Sequence, residues 1–370
     1  MTILLWILGI LAVPTLLFAL WLGGVFLKEF FSPSPDDGTQ AAEAAAALGL
    51  LPAERQNTVH AAPLPADWRA ALDAVRAGDW KPAADLLSAI GRDWEARSAF
   101  AYLLGELAGE EDGWLLAWEA ARADDPDAAL VRARSTVVLA WQVRGAKRAR
   151  YTTEEQFEGF HRTLRTARED VARAAALNPD DPTPYIAEIW VALGLGYPNS
   201  EMDKLWSRIT DRAPHHFEAH FSALQYWSEK WSGSERLAFA FAERAAAEAP
   251  PGSLLTALPL IAHFEHDTSE DTEADRTPEM IARVDAGLAD AAAADPAHPR
   301  LPELRHLLAF YLSLQGRDEA ALEQFKLVDG HVNALPWRYR ADRAAYYCQV
   351  RDATVAAARE AAEARGSSSG

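Results

Sequence analysis

Among the side chains able to do chemistry, the histidines are the most concentrated. His215, His216 and His220 share one stretch with Glu218, and His263 and His266 flank Glu265 further along. His216 and His220 are four positions apart, which puts both imidazoles on one face of a helix. That spacing chelates zinc when a third ligand arrives from elsewhere, and His263 is the residue an adjacent helix pair would bring. A plainer reading competes with it. There is no HExxH, and His215 and His216 follow Pro214 at a helix start, where imidazoles hydrogen-bond to backbone or face water. We therefore expect no metal and no other cofactor, with a metal-dependent hydrolase built on the histidines as the alternative.

A second candidate is the stripe His220, Leu224, Trp227 and Trp231, whose steps of 4, 3 and 4 keep it on one helix face. With Lys230 at its edge and His263 nearby, this face is the candidate surface for a protein or peptide partner, the tryptophans acting as anchors. An aromatic stripe at helical spacing also describes core, and tryptophan is a common packing residue here: 11 of the 13 lie beyond the apolar N-terminal segment. Ser232-Gly233-Ser234 is explained by capping of a helix that begins at Glu235. No Gly-rich phosphate loop or GxSxG elbow occurs. The acidic stretch from Asp267 to Glu279 lacks the glycine and spacing of a calcium loop and reads as a solvated insertion. No enzymatic activity is expected.

Composition narrows the classes further. With 370 residues, 49% hydrophobic and 24% charged, the chain is globular and long enough for a large core or a run of repeats. A net charge of -18 excludes a nucleic-acid binder, which needs clustered cations against phosphate. The lone Cys348 excludes a disulfide framework and a four-cysteine zinc site. Thirty arginines against six lysines, with long alanine runs, fit coding from a GC-rich bacterial genome.

From Ile3 to Leu27 there is no charged residue. As a helix those residues span roughly 37 Å, more than the ~30 Å hydrocarbon core of a bilayer. We expect residues 3–27 to be an uncleaved transmembrane helix, because the basic start and small-residue cleavage site of a signal peptide are missing. Pro14 would kink it, and Trp6, Trp21, Phe30 and Phe31 suit the interfaces. Lys28, the nearest cation, tips the rest of the chain towards the cytoplasm as a single-pass protein of the cell membrane. Residues 32–65, rich in Pro, Gly and Ala, read as a linker with one short helix, and 365–370 as a flexible tail.

From Asp67 to Ala364 the periodicity is helical throughout. Helix stops recur at Asp125-Pro126, Asn178-Pro179, Ala213-Pro214, Ala249-Pro250 and Asp295-Pro296, and the gaps between these prolines are 53, 35, 36 and 46 residues. The middle two lie near a 34-residue helix-turn-helix period. Leu308, Ala309, Leu312, Gly316, Ala321 and Phe325 keep a spacing of large, small, large, turn glycine, then Ala-x3-Phe, and Leu72, Gly78, Ala83 and Leu87 form a second copy. In these residues the chain resembles the tetratricopeptide-repeat family, and Ala219 to His266, with its Lys-Trp-x-Gly-Ser element, is similar to a group of actinobacterial helical-repeat proteins. The resemblance implies an all-α, right-handed solenoid of helix pairs with degenerate repeats over residues 67–364, preceded by the transmembrane helix. It further implies a non-catalytic, membrane-anchored scaffold that recruits a protein partner.

Overall fold

The computed structural model describes residues 35–145, 153–267 and 272–368, and those residues are all-helical, with sixteen α-helices and no β-strand. In chain order the helices are α1 (Pro35–Ala47), α2 (Ala66–Arg76), α3 (Lys81–Ile90), α4 (Trp94–Glu110), α5 (Gly113–Ala121), α6 (Pro126–Arg144), α7 (Glu154–Leu177) and α8 (Thr183–Leu195). They continue as α9 (Asn199–Thr210), α10 (Phe217–Trp227), α11 (Glu235–Glu248), α12 (Ala257–His266), α13 (Pro278–Ala293), α14 (Leu301–Leu314), α15 (Asp318–Val328) and α16 (Arg343–Ser368). No helix among the described residues is long and apolar enough to cross a membrane, and the expected span at 3–27 lies outside them. The repeat region expected as one domain over 67–364 is divided between two compact units.

The larger unit comprises residues 64–145, 153–266 and 289–301. Its helices pair locally: α2 packs on α3, α4 on α5, α6 on α7, α8 on α9 and α10 on α11. Gly78 turns the first hairpin with φ 89°, a region other residues enter only with strain, and Leu72, Ala83 and Leu87 are buried between its helices. Beyond the pairs runs a second set of contacts, α2 on α4, α4 on α6, α6 on α8, α8 on α10 and α10 on α12. The helix break expected at Asp125-Pro126 falls between α5 and α6, and Pro126 opens α6 at its first position. Its fixed φ suits a first turn, and Asp125 caps that turn by accepting from the Asp127 N–H at 2.9 Å.

Arg97 ties these helix starts together. It stands on α4 at 2% exposure, donates from Nε to Asp181 at 2.6 Å and from Nη1 to the Leu87 carbonyl at 3.4 Å, and pairs through Nη2 with Asp127. Asp127 lies in the first turn of α6, while Asp181 accepts from the Thr183 N–H at the start of α8 at 2.8 Å. Burial alone would favour the neutral guanidine, and the two carboxylates outweigh it, so the Arg97 pKa rises and the group stays charged.

The second unit is discontinuous, with described residues 35–63, 267, 272–288 and 302–368. Here the expected linker is corrected. Residues 35–63 are built into the fold: α1 packs on α16, and Ala41, Ala45 and Leu50 are buried. Arg351, 2% exposed on α16, donates to the Leu51 carbonyl and to Asp329, each at 2.7 Å. Asp329 in turn accepts from the Leu51 N–H at 2.7 Å and from Gln56 at 3.0 Å. Asn57 then donates to the Gly330 carbonyl and accepts from the Val332 N–H, both at 2.8 Å. The alanines of this stretch supply a helix face, and its prolines lie outside α1 apart from Pro35 at its first position.

Two further expectations are revised in this unit. Arg276 donates to the Leu314 carbonyl at 2.7 Å, Gln315 donates to the Asp275 carbonyl at 2.9 Å, and Asp275 is buried, so this part of the acidic stretch is packed rather than solvated. The tail expected at 365–370 begins inside α16, which continues to Ser368. The clearest sequence repeat behaves as its spacing demands: Gly316 turns with φ 67°, and Phe325 reaches beyond its own pair to Tyr347 of α16, ring centroids 5.4 Å apart. His306 completes this core, fully buried. Its Nδ1 accepts from the Trp337 indole at 3.0 Å and its Nε2 donates to the Ala61 carbonyl at 3.3 Å.

Candidate functional site

His216 is the N-cap of α10. Its Nδ1 accepts from the Ala219 N–H at 3.4 Å, and its Nε2 donates to the Trp94 carbonyl at 3.0 Å. His220, one turn on, donates from Nδ1 to the His216 carbonyl at 2.9 Å and lies edge-on to Trp206 at 4.8 Å. Both nitrogens of the first imidazole and one of the second are thus bound to backbone. The i,i+4 pair is not an open chelate, and the plainer reading describes it.

The acid between these histidines sits at the centre of a network. Glu218 is 4% exposed, accepts from the Ser98 hydroxyl of α4 at 2.5 Å and pairs with Arg134 of α6 at 2.9 Å. Arg300 approaches its other oxygen at 3.7 Å. Burial would raise the Glu218 pKa, but Arg134, Arg300 and the Ser98 hydroxyl outweigh it and hold it at about 2. Beside it, Glu95 accepts from the Phe217 N–H at 2.6 Å, with His216 and His298 at 3.7 and 3.9 Å. Sequence reasoning passed over Ser98, Arg134 and Arg97. The available signal was a charged residue in phase with an apolar face: Arg97 precedes Ala101 and Leu104 on α4, and Arg134 lies between Val131 and Val137 on α6. What this cluster does is lock α4, α6 and α10 together.

The aromatic stripe divides. His220, at 5% exposure, and Leu224, at 0%, belong to the core, which corrects their expected place on a binding face. The reason is that α10 packs against four helices, α4, α8, α11 and α12. Trp227 and Trp231 are half-buried against the same core. Trp231 meets Trp141 edge-on at 5.4 Å, and the Arg144 guanidinium lies over both rings at 5.5 and 5.6 Å. Lys230 is exposed but joined to Glu265 of α12 at 2.6 Å, and His263 is half-buried on α12. The loop holding Trp231 closes on itself: Gly233 donates to the Ser228 carbonyl at 3.2 Å and Ser234 to the Trp227 carbonyl at 3.0 Å, while the Ser234 hydroxyl caps α11 as expected.

Two of the buried imidazoles carry a pH prediction. Burial lowers the pKa of His220 and of His306 to about 4, against about 6.5 unfolded. The unfolded chain therefore binds more protons between those values, so stability is complete above pH 6.5 and falls as pH drops towards 4, by on the order of 3 kcal/mol per histidine. We expect the melting temperature to decline steeply between pH 6.5 and 4. In His306→Gln, whose amide can serve both the Trp337 and Ala61 partners, the decline should be shallower. A flat profile over that range in the wild type would refute the assignment.

Comparison with family models, curated proteins and solved structures finds no match to this chain.

Proposed function

We propose that the chain is a non-catalytic interaction scaffold: a tetratricopeptide-like solenoid of helix pairs, held at the cell membrane by one span at residues 3–27, that recruits a protein partner on the cytoplasmic side. The observation that carries this reading is the ladder in the larger unit, where α2, α4, α6, α8, α10 and α12 each pack on the next. Stacked repeats bury their first helices in this way, each repeat leaning on its neighbours. The ionisable groups support the non-catalytic part. Arg97, Arg134, Glu218 and His216 are engaged with one another, with neighbouring acids or with backbone, and they stiffen the stack. In this reading the partner meets the half-buried end of the stripe, Trp227, Trp231 and exposed Lys230, while buried His220 and Leu224 set α10 behind them.

The test places a photo-crosslinker at Lys230→Cys in a Cys348→Ser background and expresses the chain in its native host, with and without residues 1–31. We expect a discrete adduct in the membrane fraction for the full chain, and a shift of the truncated chain to the soluble fraction. Absence of any adduct at this position would remove the stripe as a docking surface. Retention of the truncated chain in salt-washed membranes would remove the single-anchor reading.

A further inference from the structure

In the larger unit, α7, α8 and α9 border a cleft of about 380 Å3, within the size range that takes small molecules. Its lining includes guanidinium-bearing residues from two helices, Arg168 of α7 and Arg208 of α9. Each is exposed and each rests on an aromatic face, Arg168 5.2 Å above Tyr197 and Arg208 5.8 Å above Tyr185. Among the described residues neither has a carboxylate within salt-bridge distance, whereas the buried Arg97 and Arg351 each hold two. Tyr185 and the aliphatic carbons of Val171 and Ala172 line the same cleft.

The cleft contains one acid, Glu188, which takes a long hydrogen bond from the Tyr197 hydroxyl at 3.4 Å. Burial raises its pKa, and the fields of Arg208 and Arg168 pull it partly back. The lining thus combines two cationic forks, apolar carbons and one partly shielded carboxylate. Two guanidiniums from separate helices in the lining of one cleft suit a planar or tetrahedral oxyanion, which can accept from both. The ring and aliphatic carbons suit an apolar body attached to it.

We propose that this cleft binds a small organic oxyanion, a carboxylate or phosphate monoester on an aromatic or aliphatic body, with the oxyanion bridging Arg168 and Arg208 and the body lying against Tyr185 and Val171. Glu188 sets the limit of the charge accepted, because a second anionic group in the cleft would meet its carboxylate. The site is independent of the scaffold reading, since it uses no residue of the α10 stripe.

Calorimetric titration of the full chain tests this with four probes: benzoate, phenyl phosphate, inorganic phosphate and neutral benzamide. Saturable one-site binding is expected for benzoate or phenyl phosphate, at least about tenfold weaker binding for inorganic phosphate, and none for benzamide. Arg168→Gln and Arg208→Gln should each weaken the aromatic anion by about tenfold or more, and both changes lie at exposed positions where an unchanged helical spectrum is expected. Glu188→Gln should tighten it, an effect that general loosening of the fold would not produce. The proposal is overturned by no saturable binding of either aromatic anion, by binding indifferent to both arginine changes, or by benzamide binding as well as benzoate. Inorganic phosphate binding as tightly as phenyl phosphate would overturn the role of the apolar carbons.

Discussion

Arg97→Ala should lower the stability of the larger unit by on the order of 3 to 5 kcal/mol, because it strands carboxylates that the fold has removed from water. Asp181 is 1% exposed and Asp127 is held in the first turn of α6, and both face the same guanidinium. Without it, three helix starts repel or rehydrate at once. Arg97→Lys should recover only part of the loss, since one ammonium cannot reach both acids and the Leu87 carbonyl in a fixed fork. Asp181→Asn added to Arg97→Met should recover more, because the amide keeps an oxygen for the Thr183 N–H and removes a stranded charge. Denaturant unfolding followed by tryptophan fluorescence is the measurement: the ten tryptophans from Trp68 to Trp231 lie in this unit, with Trp6, Trp21 and Trp337 making up the 13. A loss below about 1 kcal/mol for Arg97→Ala would show that the network is incidental to stability.

Gly233→Ala is the second large effect. An added Cβ would fall 1.8 Å from the Trp227 carbonyl oxygen and 2.2 Å from its carbon, and both are backbone atoms that a side-chain rotation cannot clear. The loop must open. Opening breaks the Ser234 bond to the Trp227 carbonyl, displaces the Ser234 cap on α11 and unseats Trp231 from Trp141. A lost cap and a lost aromatic contact together amount to roughly 2 to 3 kcal/mol, before any backbone strain. The expected result is a lower melting temperature and red-shifted tryptophan emission. Gly366→Ala, with nothing within 4 Å of the new methyl, should leave both unchanged or slightly improved. Equal behaviour of the two variants would mean that the close approach at Gly233 is not what fixes this loop.

The contrast between these residues and the hairpins explains what the sequence discloses. Gly78 and Gly316 are legible because their partners are a few positions away and the constraint is local: a left-handed turn between two apolar-periodic segments. The Ser234 cap is legible for the same reason. Arg97 and Glu218 are not, because their partners stand 84 and 120 residues off, at Asp181 and Ser98, and no local pattern records that. Periodicity placed His220, Leu224 and Trp227 on one face of α10 but could not say whether that face meets solvent, since α10 is covered from several directions. Residues 32–65 read as a linker because proline density stands for loop when the element packed on α1, α16, lies at the far end of the chain.

The union of Leu51 with Arg351 also sets an order of events during synthesis. The two are 300 residues apart. At ribosomal speeds of about 5 to 20 residues per second, Leu51 emerges roughly 15 to 60 s before its partner exists. Over that interval α1 and the stretch after it have nothing to fold against, while residues 64–266 of the larger unit, contiguous in sequence, can close as they appear. A chain cut between residue 301 and α16 by nonsense mutation or proteolysis would then carry every residue of the larger unit and an N-terminal stretch left without its docking partner, the kind of segment that chaperones and proteases read as unfinished.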